Sequence, residues 1–100
     1  ANWGPNNIDL LTQPDIVKGL QASRKGNVTN ISWNKNSDID LLGYNIFANG
    51  YWIGTVDAND TNFSIGINEL PFTAKGSINI SIEAFDQDGE VSPKRATVKV

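Results

Sequence analysis

Residues 77–86 read Ser-Ile-Asn-Ile-Ser-Ile-Glu-Ala-Phe-Asp. They set Ile78, Ile80, Ile82 and Ala84 at every second position, with Ser77, Asn79, Ser81 and Glu83 between them. Successive side chains of a strand point to opposite faces, so this pattern is a strand with one dry face and one wet face. Three β-branched isoleucines on the dry face suit a pleated, half-buried surface. Such a strand needs an opposing apolar sheet, and the remaining sequence is read for it.

Residues 16–22 give a weak first strand with Leu20 and Ala22 in phase, closed by a turn at Arg24-Lys25-Gly26-Asn27. Residues 28–33 give a second, with Thr29, Ile31 and Trp33 on one face, and residues 42–48 a third, with Tyr44 and Ile46 in phase. Asn49-Gly50 then leads into residues 51–56; both residues tolerate positive φ, which makes the pair a strong hairpin signal. Phe63, Ile65 and Ile67 alternate in a fifth strand, Leu70-Pro71 marks a corner, and Ala96, Val98 and Val100 alternate in the last strand. No window carries a helical period. Short strands at this spacing predict an all-β fold: an antiparallel, seven-stranded, immunoglobulin-like β-sandwich. Residues 1–13, with turn chemistry at Trp3-Gly4-Pro5-Asn6-Asn7, are assigned to an N-terminal extension or linker, and residues 14–100 to the sandwich.

The 100 residues amount to one domain. A net charge of -3 with scattered Lys and Arg argues against a nucleic-acid partner and against docking on an anionic membrane. No apolar run approaches the ~20 residues of a membrane span, so no membrane insertion is expected. No signal-peptide pattern opens at Ala1, as in a chain that is mature, cytosolic or excised from something longer. Without Cys or His, thiol mechanisms and the common triads are excluded. Asp38, Asp40, Asp57, Asp60, Asp86 and Asp88 sit in predicted turns, where Asp serves local backbone hydrogen bonding. The chain is therefore not expected to be an enzyme, and no cofactor is expected.

The order of motifs resembles a fibronectin type III domain. That family's Trp at the end of the second strand is matched by Ile31-Ser32-Trp33, and its Gly-Tyr third strand by Gly43-Tyr44-Asn45-Ile46. Leu70-Pro71 resembles the family's Leu before the sixth strand. Residues 78–84 match the sixth strand, and residues 86–89 with Ser92 the turn that follows. The resemblance runs from about Pro14 to Val100 and implies fibronectin type III topology. The Asn49-Gly50 hairpin followed by Ile53-Gly54-Thr55-Val56 is similar to bacterial members, and enrichment in Asn and Ile with little Ala resembles an AT-rich bacterial or phage genome. The family's bracing Tyr at the start of the sixth strand is Ile78 here, so packing of Leu70, Pro71 and Phe72 is expected to hold that corner. The integrin-binding Arg-Gly-Asp known in this family is absent.

Two groups of residues are candidates for binding. Asp86, Asp88 and Glu90 alternate around Gly89, as hard-cation ligands would, but the stretch lacks the other ligands of an EF-hand loop; an Asp-Gly hairpin turn is favoured, and no metal site is assigned. Phe47 falls out of phase with Tyr44 and Ile46, Trp52 falls out of phase with Ile53, and Tyr51 follows the hairpin tip. Phe47, Tyr51 and Trp52 thus form a candidate exposed patch for stacking on sugar rings or docking a neighbouring domain. The alternative is edge covering, or packing against the N-terminal segment, for instance with Trp3. Five Asn-x-Ser/Thr sequons, at Asn27, Asn30, Asn59, Asn62 and Asn79, are read as chance matches among 13 Asn.

The resemblance implies a non-catalytic spacer or interaction module of a larger extracellular bacterial protein, such as a secreted carbohydrate-active enzyme or surface protein. Its partners would be neighbouring domains of the same polypeptide, other proteins, or carbohydrate, and its location extracellular or at the cell surface. Two alternatives stand beside this one: a phage or virion structural domain of a tail, fibre or capsid, and a carbohydrate-binding module using the aromatic patch.

Overall fold

A computed structural model describes residues 13–100; apart from Gln13, the N-terminal extension, including Trp3, lies outside the described residues. The elements in chain order are β1 (Gln21–Lys25), β2 (Val28–Ser32), β3 (Leu41–Ala48), β4 (Tyr51–Asp57), β5 (Asn62–Gly66), a 3-10 turn (Ile67–Glu69), β6 (Asn79–Asp86) and β7 (Ala96–Lys99). One sheet has the order β1-β2-β5 and the other β4-β3-β6-β7, with every pairing antiparallel. This is the predicted seven-stranded sandwich.

β6 lies inside the larger sheet between β3 and β7. Ile78, Ile80, Ile82 and Ala84 are all buried, as their alternation requires. They meet Tyr44, Ile46 and Ala48 of β3, and Ile31 and Trp33 from the facing sheet, in one core cluster. The Trp33 and Tyr44 rings stand 5.3 Å apart between centroids at 60°, a tilted geometry favoured by the ring quadrupoles. The Tyr44 hydroxyl reaches past the core and accepts the Asn36 backbone N–H at 2.8 Å. A tyrosine brace thus exists on β3, tying down the loop that leads into it. Ile78 keeps its place by backbone pairing with Val100, 2.9 Å in each direction.

Three local expectations are corrected. Residues 16–20 are not a strand. Pro14 and Val17 are buried there, but Gly19 turns the chain at φ 71 and the main regular contact is Asn34 N–H to Lys18 carbonyl, 2.9 Å. The strand begins at Gln21 and runs through Arg24 and Lys25, because Gly26 at φ 61 permits a two-residue turn and pairs Lys25 with Val28. Ile67 leaves the fifth strand for the 3-10 turn, where the Glu69 carboxylate accepts the Gly66 N–H at 2.7 Å. At the following corner Leu70 and Phe72 pack on the core while Pro71 is exposed, so Pro71 does not hold it. The Asn49-Gly50 hairpin forms with positive φ at both residues, 48 and 84, as a turn matching the strand twist demands.

Candidate functional site

The outer face of the four-stranded sheet carries the most organised exposed side chains. Its geometry depends on an irregularity in β4: Ile46 pairs with Gly54 but Phe47 pairs with Trp52, leaving Ile53 as an extra residue. Residues three apart on a regular strand point to opposite faces. The bulge cancels that, so Trp52 and Thr55 share the outer face, and bulges commonly re-aim side chains in this way. The Trp52 indole N–H donates to the Thr55 hydroxyl at 2.9 Å, and that hydroxyl donates to Asn45 Oδ1 at 2.7 Å. Asn45 Nδ2 donates to Glu83 Oε2 at 3.1 Å, and Arg95 Nε donates to Glu83 Oε1 at 3.1 Å. One hydrogen-bonded row therefore crosses the sheet from β4 towards β7.

The predicted aromatic patch does not form as a unit. Phe47 does point to the outer face, but it is only 8% exposed. The Arg95 guanidinium carbon lies 3.5 Å from its ring centroid, a stacked cation that shields it from water. Tyr51 pairs with Ala48 on the core-facing phase, and its exposed ring lies 5.5 Å from that of Phe72. Of the three, Trp52 presents an open aromatic surface on this face, at 60% exposure. Sequence reading missed its polar rim of Asn45, Thr55, Glu83 and Arg95. The outward phase of β3 and β6 offered a signal for Asn45 and Glu83; the bulge hid Thr55.

At the far end of β6 the acidic turn behaves as an Asp-built turn. Asp86 Oδ1 accepts the backbone N–H groups of Asp88 at 3.0 Å and Glu90 at 2.9 Å, and Gly89 sits at φ 83. Asp86 is buried, at 1% exposure. Glu90 gives this loop its backbone N–H, while the carboxylate that joins Asp86 and Asp88 is that of Asp40.

No protein-family model and no curated protein matches this sequence. Solved structures do. The spore cortex lytic enzyme SleM of Clostridium perfringens is similar at 38% identity and TM-score 0.87, over 96% of this chain and 31% of that one. The fibronectin(III)-like modules of Clostridium thermocellum CbhA are similar at 24% identity and TM-score 0.63, over 87% of this chain and 45% of that one. The central fibronectin-III array of RIM-binding protein is similar at 22% identity and TM-score 0.70, over 88% of this chain and 35% of that one. The chain spans less than half the length of each. It is a fibronectin type III-like domain in fold. Among the described residues no helix is long and apolar enough to cross a membrane.

Proposed function

We propose that this chain is a non-catalytic module of a larger cell-wall-lytic or other carbohydrate-active enzyme acting outside the cell, where it spaces and orients the parts beside it. The observation that carries this reading is the similarity of nearly the whole chain to under a third of SleM, a spore cortex lytic enzyme. The fold by itself supplies no function. The layout of the ends suits a spacer. Gln13 Nε2 donates to the Val91 carbonyl and the Ser92 hydroxyl to the Asp15 carbonyl, beside the Asp86 end of β6, while Val100 pairs with Ile78 at the opposite end. The test is a replacement in SleM. The matched segment exchanged for this chain should keep most of the lytic activity on isolated spore cortex, and a Gly-Ser linker of equal residue number should lose it. Equal activity of both versions overturns the spacer role. Release of cortex fragments by the isolated 100-residue chain overturns the non-catalytic one.

The pinned indole of Trp52 favours a second role within the same reading, contact with a glycan. A Trp whose N–H is held by Thr55 keeps its ring in one orientation, which lowers the ordering cost of stacking on a sugar ring. Trp52→Ala should abolish binding to cortex peptidoglycan fragments in isothermal titration, with the melting temperature nearly unchanged. If those fragments leave the fluorescence of the native chain unaltered, glycan contact is excluded and the spacer reading stands by itself.

A further inference from the structure

We propose that Asp40, Asp86 and Asp88 form a calcium site that clamps the loop after β6 to the loop before β3. One carboxylate oxygen from each of the three lies within 4.8 Å of the others. Calcium binds oxygen at about 2.4 Å, so two oxygens on one ion stand no more than about 4.8 Å apart. The three side chains already meet that limit although Asp40 is remote in sequence from the other two.

The buried member of the trio provides a second, independent observation. Both backbone donors that reach the Asp86 carboxylate go to Oδ1. Oδ2 is buried and takes no hydrogen bond from any donor among the described residues. A buried carboxylate oxygen without a partner carries an uncompensated desolvation cost. Two further carboxylates, rather than a cation of the chain, stand beside Asp86: the ion pair among the described residues is Arg95 with Glu83, on the outer face. A divalent ion offsets both the desolvation and the like-charge repulsion. The Gln87 N–H donates to the Asp40 carbonyl at 3.1 Å, so the two loops are already in register for a shared ligand.

An all-oxygen set on two loops, completed by water, suits calcium better than magnesium. Magnesium demands near-ideal octahedral geometry and keeps its own water shell. Three protein ligands place the affinity in the class of extracellular modules, with Kd about 10⁻⁴–10⁻³ M. The site stands at the end of the sandwich where Gln13 and Asp15 meet Val91 and Ser92, so binding would stiffen the point at which the described chain enters.

The test is isothermal titration of the 100-residue chain with CaCl2, and thermal unfolding in EDTA against about 10 mM CaCl2. The expected result is one saturable site and a melting temperature raised by about 5 °C or more. Asp40→Asn and Asp88→Asn should each weaken binding at least about tenfold and cancel the thermal shift, the loss of one charged ligand in three. Backbone amide resonances of Asp40, Asp88 and Glu90 should move on titration of the native chain, a readout that survives if a variant folds poorly. Absence of saturable binding by the native chain overturns the site. So does an equal thermal shift from MgCl2 at matched ionic strength, or a shift retained in both variants; Asp86 then serves the turn alone.

Discussion

A methyl group added at Gly43 would collide with the Val56 carbonyl oxygen, which belongs to the β3–β4 ladder and cannot rotate away. The same addition at Gly54 would stand 2.6 Å from the Phe63 ring, a side chain that can shift. Neither glycine has positive φ, so each is required for close approach rather than for backbone freedom. Gly54→Ala should cost about 1–3 kcal/mol as overpacking, and Gly43→Ala should cost more because backbone must move. Urea denaturation of both variants checks the order; a smaller loss at Gly43 would mean that β3 and β4 separate easily there. Residue identity alone did not disclose these roles, because each depends on a neighbour across the fold. Phe47 shows the same limit. Its outward phase was legible, but its ring is covered by Arg95, which stands just before β7, 48 positions later in the chain. Asp40 joins Asp86 and Asp88 by the same kind of long-range approach.

Among the elements, β6 was the most legible because its period-2 pattern and its environment agree: an inner strand with one face on the core. β2 and β3, also inner strands, were legible for the same reason, and the edge strand β5 by the alternation of Phe63 and Ile65. β1 was misplaced because its exposed Gln21, Ser23, Arg24 and Lys25 carry no apolar alternation; as an edge strand it is defined by pairing with β2. The bulge at Ile53 was illegible because an extra residue leaves no compositional mark, yet it decides that Trp52 and Thr55 share a face. Ile82 stands at the centre of β6, paired with Ile46 on one side and Ala96 on the other, with no exposed surface. Ile82→Ala should therefore cost about 2–5 kcal/mol by lost transfer energy and a residual cavity. Chemical denaturation measures it, and a loss below ~1 kcal/mol would mean that the site collapses around the smaller side chain.

At the scale of the molecule, a spacer must transmit position, and that depends on where the chain enters and leaves. β6 has eight residues and so spans roughly 25 Å. Contacts of Gln13 and Asp15 lie at one end of it and the Ile78–Val100 pairing at the other. The path between is not a loose tether: Ser92 Oγ accepts the Ala84 N–H at 2.9 Å and donates to the Asp15 carbonyl at 3.0 Å, locking the entering segment to β6 itself. A chain without native Cys allows this to be measured directly. Spin labels on Asp15→Cys and Lys99→Cys, both at exposed positions and the first anchored through its backbone alone, should give one narrow distance distribution centred at about 20–30 Å by electron–electron double resonance. Ser92→Ala removes the hydroxyl that joins the two, so it should broaden that distribution while the sandwich stays folded. A broad distribution in the native chain would show that the entering segment detaches from β6, and a detached segment cannot fix the orientation of whatever precedes it.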